Sequence, residues 1–427
     1  MRVRFSLRPP KDMEINKQNN LLELFYQQYL KEKPDQIFLK SLKNLENEFT
    51  WKETYLNILK LSEELSSIIA KKDRCLLISE NRPEWMISDL AIMLSKGITV
   101  PAYTTYVERD YEYLINDCNP SIVIVSDALQ YNKIKNIIKS KPFIKKILSF
   151  EEIKDAKEVI YVKNIFEKKK YQEKNFLNLD ISRKDLACII YTSGTQGNPK
   201  GVMLSHGGIL SNCEGALFLL KEFISKKARF LTWLPLSHSY EHTVQFVQIA
   251  LGARVFYAES IDKLIKNMGE CNPDIMTAVP RFYQNLYQKI NASFNKTKGL
   301  KKYLINKMLS LGEKVLFKNK LSNLEKVQNI ICEKLVRKKI KAQFGGSLKL
   351  FISGGGALDK DVGVFLNAIA VSASPVLLFA LGIILSRPYK GANLALPLTM
   401  TFIKLIIHPI FAGIFSVQWS TSLTYVL

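Results

Sequence analysis

Tyr191-Thr192-Ser193-Gly194-Thr195-Gln196-Gly197-Asn198-Pro199-Lys200-Gly201 is the stretch whose reading decides the fold. The run before it, Leu186-Ala-Cys-Ile-Ile-Tyr191, is apolar and reads as a buried strand, and a helix is expected from about Ser205-His206. A glycine-rich loop between strand and helix lets backbone N–H groups approach phosphate oxygens, and a helix N-terminus adds partial positive charge. Thr192, Ser193 and Thr195 supply hydroxyls, Gly194, Gly197 and Gly201 supply flexibility, and Lys200 supplies a mobile cation. The order is not that of the common P-loop, which wants Gly before the lysine and Ser or Thr after it; Pro199 and Gly201 stand there instead.

Outward from the loop, short apolar runs alternate with amphipathic helical patterns. Strands are expected at Cys75–Ser79, Thr99–Tyr103 and Ser121–Ser126 before the loop. After it they are expected at Phe230–Leu234, Arg254–Tyr257, Ile275–Val279 and Leu348–Ser353. Residues 20–72 read as helical, as do Trp85–Lys96 and a lysine-rich stretch at about 282–342. This alternation implies an α/β fold with parallel sheet.

The 427 residues suffice for a sizeable core. The net charge of +22 is spread over lysines mixed with Glu, Asn and Ile, so it reads as a solvated surface, then as one drawn to anionic lipid. No recognition motif accompanies it, so no nucleic-acid partner is expected. Six scattered cysteines without a CxxC pair, and four histidines, point to a reducing compartment and to no metal site. The start, Met1-Arg-Val-Arg-Phe, is no secretory signal, and a cytoplasmic location is expected.

Tyr191–Lys200 with Gly201-Val-Met-Leu-Ser-His206 resembles the signature of the adenylate-forming (AMP-binding) superfamily, in particular its long-chain acyl-CoA synthetase branch; Gln196 replaces the usual threonine. Ser79-Glu-Asn-Arg-Pro-Glu-Trp85, Val100-Pro-Ala-Tyr-Thr-Thr105, Leu234-Pro-Leu-Ser-His238-Ser-Tyr-Glu241, Ala278-Val-Pro-Arg281 and Ser353-Gly-Gly-Gly-Ala-Leu358 resemble further family motifs in the family's order. The resemblance covers residues 20–369, after an extension at 1–19. It implies two stacked α/β subdomains sharing a nucleotide cleft, without the C-terminal lid domain. It implies ATP, Mg2+, coenzyme A and a fatty acid, most simply a long-chain one. Thr192 to Lys200 (Thr192, Ser193, Gly194, Thr195, Gly197, Lys200) would hold the β- and γ-phosphates. Gly354, Gly355 and Gly356 would let backbone approach adenine, and catalytic His238 would sit at the acyl carboxylate. Taken alone, His238 also reads as an ordinary histidine, Arg281 as a surface cation, Gly354–Gly356 as a plain turn, and Glu241 as a structural or helix-capping carboxylate.

The family's Tyr-Gly-x-Thr-Glu segment, which supplies a magnesium-binding carboxylate, is expected after residue 369. The chain reads Val371-Ser-Ala-Ser-Pro-Val-Leu-Leu-Phe-Ala-Leu-Gly382 there, and no acidic residue follows Asp361. Severely reduced or absent adenylation is therefore expected, leaving a nucleotide- and fatty-acid-binding remnant as the alternative. Asn367–Ser386 carries no charge and has the length of a membrane span. Ala373–Gly382 with Lys404-Leu-Ile-Ile-His-Pro409 resembles part of the auxin efflux carrier family of permeases. Membrane association through 367–427 is accordingly expected, as an apolar helical tail too short for a transporter, and a membrane-anchored fusion with a transporter fragment is the further alternative.

Overall fold

The structure, a computed structural model, describes residues 15–192, 199–220, 227–317 and 319–370. All of them belong to the first of the chain's two units, Met1–Ile383. The chain starts with helix α1 (Leu21–Tyr29), then strands β1 (Ile37–Ser41) and β2 (Glu48–Thr50), then α2 (Trp51–Ser66). Helix is therefore not continuous over 20–72. The apolar positions that suggested it fall mainly in α1 and α2, while the residues between fold into an antiparallel pair. Asn20 caps α1, accepting from the Glu23 amide at 2.9 Å, and a reciprocal Thr50–Glu53 capping box starts α2. The Trp51 ring stacks on Phe38 with centroids 3.7 Å apart, tying α2 to β1. Truncating a buried Trp such as this costs about 3–5 kcal/mol.

The chain then leaves this sheet to build another. Strand β3 (Arg74–Ile78), α3 (Pro83–Leu94), β4 (Ile98–Ala102), α4 (Glu108–Cys118), β5 (Ile122–Val125), α5 (Ala128–Lys139), β6 (Lys146–Ser149), β7 (Val159–Tyr161), α6 (Val162–Phe166), β8 (Leu186–Thr192) and β9 (Lys200–Ser205) follow. They make a seven-stranded sheet of order β7-β6-β5-β3-β4-β8-β9, parallel except for β9. Every residue of β5 and all but the first of β3 are buried, as expected where helices cover both faces of a parallel sheet.

Helix α7 (His206–Leu220) leads back to the first sheet. There follow β10 (Arg229–Thr232), α8 (Ser239–Ala250), β11 (Arg254–Tyr257), α9 (Leu264–Cys271), β12 (Ile275–Ala278) and α10 (Pro280–Asn295). Next come α11 (Gly299–Leu316), α12 (Asn323–Cys332), a π-helical turn at Glu333–Arg337, α13 (Lys338–Gln343), β13 (Leu350–Ser353) and α14 (Lys360–Ala370). This six-stranded sheet has the order β13-β12-β10-β11-β1-β2, with only β2 antiparallel. Helix α3 is buried at all twelve positions and α8 at all but its first. A helix buried all round lies inside the body, and these two meet through Asp89, His242 and Gln245. The expected pair of α/β subdomains is thus present.

The expected membrane span begins at Asn367, but Asn367–Ala370 is the last turn of α14. Ala368 and Ile369 are buried there, and α14 packs on α11. The rest of that span, and the permease-like segments, lie outside the described residues. Among the described residues no helix is long and apolar enough to cross a membrane.

Candidate functional site

The phosphate-loop expectation splits at Lys200. Strand β8 runs into the loop as expected, but the chain returns as antiparallel β9, with Thr192 opposite Lys200 and Leu186 opposite Ser205. Helix α7 starts only at His206, whose amide donates to the carbonyl of Asp185, the residue before β8. That start lies at the far end of a seven-residue strand, roughly 20 Å from the loop. The α7 dipole therefore does not serve the loop, and the expected strand–loop–helix order is corrected to a β-hairpin. The apolar run Val202-Met-Leu204 favours a returning strand, and Gly201 lets it return. A Cβ on Gly201 would lie 2.8 Å from Ile189 Cγ2 and 3.2 Å from Tyr191 Cζ.

At the hairpin end Thr192 and Lys200 are exposed, and Lys200 has no ion-pair partner among the described residues. A free cation beside a hydroxyl suits an anionic group arriving from solvent. Ser193, Gly194, Thr195 and Gly197 lie outside the described residues.

The six-stranded sheet brings the other expected residues to the carboxyl ends of its parallel strands. His238 follows β10, Arg281 follows β12, and Gly354–Gly356 follow β13. In parallel α/β sheets this edge is where ligands bind. The Gly354 amide donates to the Ala278 carbonyl at 3.0 Å, and Gly356 packs beside Pro280. The three glycines have different reasons to be glycine. A Cβ on Gly354 would lie 2.3 Å from Tyr240 Cζ, so that position is filled by the protein's own ring. Gly355 has φ of +76°, which side chains disfavour. Gly355 and Gly356 are exposed and remain open to a ligand.

Asn81 joins the two sheets at this edge. It sits just after β3, donates to the Leu234 carbonyl at 2.6 Å, and accepts from the Leu236 amide at 2.9 Å. Strands β3, β4 and β8 are successive parallel neighbours, so the hairpin end and Asn81 lie at the same edge of the seven-stranded sheet, about 10 Å apart across the strands. The sequence displays Asn81 inside a motif, but its partners lie some 150 residues away, beyond any local pattern.

His238 caps α8: its Nδ1 accepts from the Tyr240 amide at 3.2 Å. That bond requires an unprotonated Nδ1 and leaves Nε2–H as the donor. The residue is exposed, yet its ring is desolvated enough to lower its pKa. Both effects favour the neutral imidazole. Glu241 does not cap the helix. It is fully buried, accepts from Thr277 Oγ1 at 2.8 Å, and desolvation pushes its pKa up to about 8. His242, for which the sequence suggested no role, places Nε2 3.0 Å from Asp89 Oδ2, and Gln245 Nε2 donates to the same oxygen. Arg281 is exposed at the start of α10. Among the described residues no group of three or more His, Cys, Asp or Glu side chains is placed to hold a metal ion.

Comparison with known proteins sets this arrangement in context. Residues 26–377 match the family described as AMP-binding enzyme. "Fatty acyl-CoA synthetase A" of Dictyostelium discoideum is 32% identical over 337 residues, covering 77% of this chain and 48% of that protein. "Long chain acyl-CoA synthetase 3" of Arabidopsis thaliana is 30% identical over 343 residues, covering 75% and 50%. The chain thus spans about half the length of the curated relatives it matches. Among solved structures, a long-chain-fatty-acid-CoA ligase from Archaeoglobus fulgidus superposes with a TM-score of 0.62 at 17% identity, over 86% of this chain and 63% of that one. ATP-bound MatB from Rhodopseudomonas palustris gives 0.58 at 20% identity, over 84% and 59%. At these identities the structures attest the fold alone.

Proposed function

Because this chain belongs to the AMP-binding enzyme family, we propose that it activates a long-chain fatty acid with ATP and Mg2+, giving an acyl-adenylate and pyrophosphate, and that coenzyme A then takes the acyl group as a thioester. The observation that supports this reading is that the Thr192/Lys200 hairpin end and the Gly354–Gly356 turn each lie past the carboxyl end of a parallel strand, in two sheets that Asn81 links. The described residues fit a nucleotide: Lys200 and Thr192 face solvent for the phosphates, and Gly355 and Gly356 leave room for a flat base. They offer no acidic cluster to Mg2+, and the roles assigned to this chain's residues do not run through one.

Attack of a carboxylate on a phosphate needs charge neutralisation and alignment more than covalent help from the protein. Lys200 would neutralise phosphate oxygens. His238, neutral and donating from Nε2, would hold the acyl carboxylate without competing as a base. Residues 20–369 form the domain that does this. A second reading, binding without turnover, is favoured by Val371–Gly382, which stands where a Tyr-Gly-x-Thr-Glu carboxylate is expected.

Two measurements on the full chain separate these readings. MgATP affinity should fall at least tenfold in Lys200→Ala; equal binding by the two proteins would sink both. Fatty-acid-dependent ATP–pyrophosphate exchange should be measurable under the first reading and nil under the second.

A further inference from the structure

The hairpin β8–β9 lies at the edge of its sheet, and β9 has β8 as its one hydrogen-bonded neighbour among the described strands. Its first four residues, Lys200 to Met203, are exposed, with Met203 at 66%. Strand β8 pairs with β4 at Thr99 opposite Cys188, and the part of the hairpin beyond that pairing is the less supported part. Something else must fix where Lys200 stands, and helix α4 is placed to do so. Tyr113 and Asp117 are four residues apart and so share one face of α4. Asp117 accepts a hydrogen bond from the Tyr191 hydroxyl, and Tyr191 is only 3% exposed. Tyr113 donates to the Pro199 carbonyl at 3.0 Å. One helix face thus grips both strands, at the residue before Thr192 and the residue before Lys200. The Tyr191 ring, held by Asp117, also lies over Gly201 across the hairpin.

We propose that Tyr113 and Asp117 are positioning residues: neither touches the nucleotide, and together they set the height and splay of the hairpin so that Thr192 and Lys200 meet the phosphates. The inference rests on the phosphate-binding reading of the hairpin but assigns the work of alignment to a different element. The two bonds divide that work. Tyr113 fixes the returning strand by its backbone, whereas Asp117 fixes the outgoing strand through the Tyr191 side chain.

The test uses the full chain and four variants: Tyr113→Phe, which keeps the ring and loses the hydroxyl, Asp117→Ala, Asp117→Asn, which keeps an acceptor, and Lys200→Ala. MgATP dissociation constants, amide exchange at residues 200–203, and thermal midpoints are measured on each. The Tyr113 bond, to a carbonyl, is worth about 0.5–1.5 kcal/mol or a ~2- to 10-fold change in binding, and the Tyr191 bond to the Asp117 carboxyl group about 1.5–3 kcal/mol or ~10- to 150-fold. Tyr113→Phe and Asp117→Ala should weaken MgATP binding by up to those factors and speed exchange in β9, with Asp117→Asn restoring part of the loss. If Lys200→Ala weakens binding while Tyr113→Phe and Asp117→Ala do not, the phosphate reading stands and the positioning role is overturned. If binding falls only in proportion to the thermal midpoint, with exchange in β9 unchanged, the role is merely structural and the proposal is overturned. If the wild-type chain and Lys200→Ala bind MgATP alike, the phosphate reading fails and the positioning role falls with it.

Discussion

Glu241 shows how far a residue's neighbourhood can change its chemistry. Its buried carboxyl has a pKa of about 8 against an ordinary 4.5, so the folded chain keeps a proton that the unfolded chain releases. The group costs nothing below pH 4.5, and its cost grows as pH rises from there toward 8. Glu241→Gln should match wild type near pH 4.5 and be more stable by about 2–4 kcal/mol at pH 8, after allowance for relaxation. Urea midpoints at the two pH values check this, and a gap that fails to widen with pH refutes it. His206 works on the acid side: desolvation lowers its pKa to about 4, so its contribution fades as pH falls from 6.5 to 4. Residue types were legible in the sequence, but these environments were not. Glu241 reads as a structural or helix-capping carboxylate, and only the fold shows it out of water with Thr277 as its donor. His242 looks idle until its partner appears 153 positions away.

The elements were legible where strand and helix alternate at ordinary lengths. The strands β3, β4, β5, β8 and β10 to β13 were all expected within a few residues of where they stand. Four strands were missed. The apolar spacing of α1 and α2 on either side absorbed β1 and β2, while β2 and β7 are only half-buried throughout and β6 is buried only in its second half, so no apolar run marks them. The sequence Lys200–Ser205 was absorbed into a loop-to-helix pattern because its apolar run, Val202–Leu204, is brief, and only the pairing with β8 shows it to be a strand. The junction of α3 and α8 was likewise invisible, although it is the seam between the two sheets. Asp89 takes two buried donors there, His242 Nε2 and Gln245 Nε2. Asp89→Ala would orphan both, at a cost of about 3–5 kcal/mol. Denaturant titration of the variant should show that loss with an unchanged slope. A loss under 1 kcal/mol would mean the seam readily rearranges or admits water.

At the scale of the whole molecule, the α/β class, with helices alternating with parallel strands, and the resemblance to the AMP-binding family were legible. The route of the chain between the layers was not. Strand β1 enters the six-stranded sheet at the start, yet its parallel neighbour is β11, with Leu39 opposite Val255. Periodicity cannot report such a pairing, because it describes neighbours along the chain and not across space. The detour gives the protein a timetable. A ribosome adding ~5–20 residues per second delivers β1 more than ten seconds before the strand it must lie beside. In that interval β1 has only its near neighbours, β2 and Trp51 of α2, and Leu39, fully buried in the finished fold, lacks Val255 beside it. The seven-stranded sheet, which is contiguous in sequence from β3 to β9, can assemble meanwhile. Nascent chains stalled after Leu220 should therefore protect residues 74–205 from protease while residues 37–50 stay cleavable, and stalling after α10 should protect both. Equal protection of both regions at the earlier stall would show that the first strands find shelter without β11. The opening strands are thus a guest waiting on its host, and this protein's dependence on cellular chaperones should be concentrated in that wait.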